Sequence, residues 1–140
     1  MPTIQIEVRQ QYPQAVEEQL LNSVFHCVKT AFQLPEYDRN IRLVVHEAHR
    51  FHYMSHLAQP EYFTLISIDC FAGRSLETKR NLYQQMVKSL GEIGIPADHI
   101  LIHLRESALE NWEIRGGQAA CDVDLGFKVD VRGGPTCLNN

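Results

Sequence analysis

The chain has no block of basic residues. Its 13 lysines and arginines are scattered among 17 acidic residues, for a formal charge of −4, so nothing in it tracks a phosphate backbone and nucleic acid is not an expected partner. No apolar run approaches the roughly 20 residues that span a bilayer, and Met1-Pro2-Thr3-Ile4-Gln5 lacks the charged and apolar regions of a signal peptide. A cytoplasmic protein with no membrane partner is therefore expected. Cys27, Cys70, Cys121 and Cys137 form no Cys-x-x-Cys pair, which argues against a zinc or redox centre and for reduced, mostly buried thiols. Walker-type glycine loops are missing as well, so no nucleotide or other cofactor is expected. His46, His49, His52 and His56 fall within eleven residues, yet on a strand His46 and His49 point to opposite faces and the other positions read as loop, so no metal is expected.

What is present suits one domain: 140 residues with 44% hydrophobic content can build a core without disulfide or metal staples. Thr3 to Val8 alternates β-formers with polar residues, the pattern of a half-buried strand. After Tyr12-Pro13, Val16, Leu20, Leu21, Val24, Phe25, Val28 and Phe32 recur at helical spacing, with Glu17, Glu18, Asn22 and Lys29 between them. This helix ends near Leu34-Pro35, because the residue before proline is pushed out of the α region. Ile41 to Ala48 then reads as a second strand.

The same programme runs again, with a strand over Tyr62 to Cys70, a helix capped by Ser75 and a strand over His99 to Leu104. A shift of 62 positions places Ile4 on Ile66, Ile6 on Ile68, Leu20 on Leu82, Val24 on Met86 and Val28 on Leu90, so strand and helix faces coincide together. Each β-α-β unit should hold parallel strands joined by a right-handed crossover. The expected fold is α/β (α+β): a four-stranded sheet with two helices on one face, repeat one over about 2–48, repeat two over about 62–105, and loops with short strands over 106–140. Val123 to Phe127 is a candidate short strand. Tyr62 to Ile68 reads as apolar on both faces, so the sheet face without helices should be covered by other subunits.

A duplicated β-α-β unit that begins at Pro2 resembles the tautomerase superfamily, with its MIF-like fold. Thr30 to Arg39 is similar to the stretch of the malonate semialdehyde decarboxylase-like branch that carries a catalytic aspartate, which would be Asp38. Gly73-Arg74-Ser75-Leu76-Glu77-Thr78-Lys79 is similar to the active-site arginine motif at the start of the second helix, and Asn111-Trp112 to the position of a tryptophan lining the pocket. The resemblance implies a cofactor-free homo-oligomer, usually a trimer, acting on a small carboxylic acid. It departs at Ala72, where the decarboxylase branch carries a second arginine.

Removing Met1 would leave Pro2 with a secondary amine, and burial near a cation lowers an amine's pKa from the ordinary value of about 7.7–8.0, making it a usable base. Arg74 can bind a carboxylate through two parallel hydrogen bonds at a helix N-terminus, and Asp38 can hold a water or orient a carbonyl. Arg39, Trp112 and Arg115 are candidate substrate-binding residues, with Arg42 as a further cation. Each has a plainer alternative: Pro2 as an edge-strand residue, Arg74 and Asp38 as solvated turn residues, Trp112 as core filler. The expected activity is keto-enol tautomerisation of a 2-oxo or enol acid with Pro2 as base. The alternatives are a decarboxylase or hydratase, or an inactive oligomeric scaffold.

Overall fold

A computed structural model describes residues 1–9 and 11–129. β1 (Thr3–Arg9), α1 (Gln14–Phe32) and β2 (Ile41–His46) form the first unit, and β3 (Thr64–Phe71), α2 (Leu76–Gly91) and β4 (Ile100–Ser107) the second. The sheet order is β2-β1-β3-β4. Each unit is internally parallel, and the two meet through the antiparallel pair β1–β3. In that pair Gln5 lies opposite Ser67, its own equivalent 62 residues later, so a local twofold axis passes through them. The same axis runs between the helices, where Cys27 Sγ lies 3.4 Å from Ser89 Oγ, again 62 residues apart.

The core lies between the sheet and the two helices. Ile4, Ile6 and Val8 of β1 and Ile66, Ile68 and Cys70 of β3 face Leu20, Val24, Val28 and Phe32 of α1 and Leu82, Met86 and Leu90 of α2. Each such side chain contributes about 1.5–3 kcal/mol when fully buried. α1 stops where Gln33 turns left-handed (φ 56°) and the Leu34 N–H bonds the Lys29 carbonyl at 3.0 Å, with Pro35 preventing continuation. α2 starts at its Ser75 cap, whose hydroxyl accepts from the Thr78 N–H at 3.2 Å.

Two expectations need correction. The sheet face away from the helices is not apolar along β3. Tyr62 belongs to a 3₁₀ turn over Pro60–Tyr62 and the strand begins at Thr64, so the outward positions are Leu65, Ser67 and Asp69. Around them lie Gln5, Glu7, Arg42, His103 and Arg105, with Asp69 gripped by Arg105 at 2.7 and 3.0 Å. Val123 to Phe127 is also not a strand. Gly126 turns at φ 79° and its N–H bonds Asp124 Oδ1 at 2.9 Å, which breaks the alternation. The short strands are instead β5 (Glu113–Arg115) and β6 (Gln118–Ala119), a hairpin turned by Gly116 and Gly117, both at positive φ. Cys27 and Cys70 are buried and Cys121 is exposed, while Cys137 lies outside the described residues. Among those residues no helix is long and apolar enough to cross a membrane.

Candidate active site

Two turns lie near the start of β1. The Ile4 N–H bonds the Asn40 carbonyl at 3.0 Å, and a turn closed by the Asp38 N–H and the Pro35 carbonyl at 3.1 Å returns the chain from α1. Asp38 is thereby buried beside the N-terminus. Its Oδ2 lies 3.3 Å from the Met1 ammonium. Pro2 follows, buried, at the head of the strand.

From the neighbouring strand, β3 ends at Phe71, the Ala72 N–H bonds the Ser107 carbonyl at 2.9 Å, and Gly73 reverses the chain at φ 139°. Glycine is favoured here, since a Cβ would come within 3.3 Å of Val129 on a backbone that L side chains rarely adopt. Arg74 folds back, 5% exposed, with Nη1 donating to the Phe71 carbonyl at 3.0 Å and its guanidinium 4.3 Å over the Phe32 ring. Its Nε and Nη2 have no hydrogen-bond partner among the described residues. Those two atoms form one edge of the guanidinium fork, and leaving them bare in a buried place is costly unless a ligand fills it.

The electrostatics are those of an amine between an anion and a cation. Burial lowers the pKa of the Met1 amine from its ordinary value; Asp38 opposes this and Arg74 adds to it. Burial also pulls the Arg74 guanidinium down, opposed in part by Glu106 and Asp38. Cys70 is pushed up to about 11 by burial, so it is a neutral thiol that adds no negative charge beside the cation.

A cavity of about 100 Å³ opens here, lined by Met1, Tyr37, Asp38, Ile114, Arg115, Leu125 and Phe127. Arg74 is not in this wall, but it lies close enough to Met1 to depress the amine's pKa. Arg115 lines the cavity and reaches the Asp124 carbonyl at 3.5 Å. Arg39 is directed elsewhere: it bonds Asn22 Oδ1 at 2.7 Å and covers the Phe25 ring on α1. Arg42 donates to Gln5 Oε1 on the open sheet face. Trp112 is not among the residues lining this cavity; it lies edge-on to Phe71 at 5.0 Å, with Nε1 donating to Ser107 Oγ at 2.7 Å. His46 pairs with Glu7 at 2.9 Å and stacks on Phe51.

Sequence reasoning missed Phe32, Tyr37, Ile114, Leu125 and Phe127. Phe32 lies in the core-facing stripe of α1, and Leu125 and Phe127 were read as parts of a strand. Only adjacency to Asp38 could have marked Tyr37.

A sequence profile described as "Tautomerase enzyme" matches residues 38–115, more than half of the chain. The chain belongs to this tautomerase family. No curated protein matches the tautomerase chain by sequence. Solved structures share its fold. Malonate semialdehyde decarboxylase superposes with a TM-score of 0.76 at 19% identity, covering 87% of this chain and 99% of its own. A protein designated Pt0534, inactivated by 2-oxo-3-pentynoate, gives 0.77 at 19% identity, with 86% and 97% covered. A wild-type fused 4-OT, solved as a symmetric trimer, gives 0.73 at 18%, with 85% and 96% covered.

Proposed function

We propose that this tautomerase-family chain catalyses a cofactor-free keto-enol proton transfer on a small 2-oxo or enol carboxylic acid, with Pro2 as the base. The observation that carries this is the buried Arg74 fork, with Nε and Nη2 unpartnered, placed beside Asp38 and the N-terminal amine. Removal of Met1 converts the Pro2 nitrogen from an amide into a secondary amine and vacates part of the cavity wall. Arg74 then holds the carboxylate through parallel hydrogen bonds. The neutral amine takes a proton from the enol oxygen or the acidic carbon and returns it at the other end of the conjugated system. Asp38 stabilises the ammonium formed in between, and Arg115 flanks the substrate from the hairpin. The active unit is a cytoplasmic homotrimer, supported by the trimeric fused 4-OT of the same fold.

A decarboxylase or hydratase is the second reading, favoured by Arg115. The position ahead of the Arg74 motif is Ala72, and among Arg39, Arg42 and Arg115 only Arg115 lines the cavity, where it could replace the missing cation. Assays of chain lacking Met1 with phenylenolpyruvate and with malonate semialdehyde separate the two. Ketonisation without decarboxylation supports the tautomerase; efficient decarboxylation with no enol turnover overturns it.

A further inference from the structure

Among the described residues the Arg74 guanidinium makes one hydrogen bond, from Nη1 to the Phe71 carbonyl. A planar group held at one corner can pivot about it. Its remaining support is a ring: Phe32, 0% exposed, lies with its centroid 4.3 Å from the guanidinium carbon. Phe32 is the last residue of α1, and the left-handed Gln33 with the Leu34 N–H bonded to Lys29 locks the chain directly after it, so the ring is carried on a rigid end. The pair, Phe32 from the first unit and Arg74 from the second, occurs at one of the two places related by the local twofold. The 62-residue shift puts Gly94 at the counterpart of Phe32 and Tyr12 at the counterpart of Arg74, so the place related to this one by the local twofold lacks both the ring and the cation.

We infer that Phe32 is a positioning residue, its ring face fixing the Arg74 guanidinium in the plane from which Nε and Nη2 receive the substrate carboxylate; this rests on the role proposed above for Arg74. The ring's negative face attracts the cation most where water is excluded, and a flat guanidinium stacks where an ammonium would not. Held in this way, the fork meets the carboxylate without first losing its own orientational freedom, so Phe32 serves substrate capture more than the proton transfer itself.

The test is a double-mutant cycle with phenylenolpyruvate on chain lacking Met1, combining Phe32→Leu with Arg74→Ala. Phe32→Leu should raise KM about three- to thirty-fold, the range for a buried cation–π contact, with kcat much less affected. In the Arg74→Ala background the same substitution should have no further effect on KM. A ring that only fills the core would cost the same in both backgrounds, and that result overturns the inference. Replacing Phe32 by mono-, di- and trifluorophenylalanine drains the ring face at nearly constant volume and serves if Phe32→Leu does not fold. KM rising with each fluorine supports the shelf, and a flat series overturns it. Should Arg74→Ala itself leave kcat/KM unchanged, the failure lies with the carboxylate role of Arg74 and the inference falls with it.

Discussion

Tyr12 occupies in the first repeat the place that Arg74 occupies in the second, 62 positions apart and each one residue before its helix cap. Its hydroxyl is buried without a hydrogen-bond partner among the described residues, and burial pushes it up to about 12. It is a neutral group where the other end has a cation. Thr64 replaces Pro2 there, and the loop preceding β3 closes over the place: the Gln59 N–H bonds His99 Nε2 at 3.1 Å and Gln11 Nε2 donates to the Glu61 carbonyl at 2.7 Å. The expected consequence is one reactive site per chain. With Met1 removed, 2-oxo-3-pentynoate should add once, on Pro2, with the amine adding across the alkyne and its proton passing to the adjacent carbon. Intact-mass and peptide-mapping spectra would show a single adduct; a second adduct in the other half would refute the asymmetry.

The two repeats, the two helices and the turns holding Asp38 and Arg74 were legible because each leaves a periodic or covalent mark. Hydrophobic spacing marks faces, Pro35 ends a helix, and Gly73 with Ser75 announces a turn and a cap. What depends on the direction of one side chain was not legible. Arg39 adjoins Asp38 in sequence but turns back onto Asn22 and Phe25, because successive residues of an extended turn point apart. Trp112 is expected in the pocket wall; its indole N–H bonds Ser107 and it is not among the residues lining the cavity. Alternation at 123–127 suggested a strand until the positive φ of Gly126 supplied the turn that ends it.

Met1 should be a complete block. Its peptide bond turns the Pro2 nitrogen into an amide that cannot accept a proton, and Met1 itself lines the cavity. Chain retaining Met1 should fold and assemble normally but show no enol turnover above the Pro2→Ala level, with removal of Met1 monitored by mass spectrometry. Full activity in a preparation shown to keep Met1 would exclude Pro2 as the base.

The sheet face away from the helices predicts assembly of a particular character. Leu65, Val44 and the 48% exposed Leu101 are interspersed with Glu7, Arg42, Asp69, His103 and Arg105, so burial there also desolvates charge that must be paired. Sedimentation at micromolar concentration should show a trimer and no stable 16.1 kDa species. Leu101→Glu should favour monomer. A wild-type monomer at that concentration would remove the oligomer from the proposal.

The pH dependence of kcat/KM tests the charges around the amine and the direction of proton transfer together. Burial lowers the pKa of the Met1 amine, Asp38 raises it and Arg74 lowers it, and the same directions are expected for the Pro2 amine once Met1 is gone. If Pro2 is the base, kcat/KM climbs with pH while the amine loses its proton and levels off above its pKa. Asp38→Asn removes the anion that stabilises the ammonium, so the pKa falls and the plateau begins at lower pH. Arg74→Ala removes the opposing cation, so the pKa rises and the plateau begins at higher pH, about 100- to 1,000-fold lower in height for the loss of a positioned donor. The two substitutions should therefore move the same limb in opposite directions. An amine acting as an acid, as in the decarboxylase or hydratase reading, would give the mirror image: activity falling as pH rises through the same pKa. A limb with that slope, or one that shifts the same way in both variants, would show that Pro2 does not stand as a base between Asp38 and Arg74.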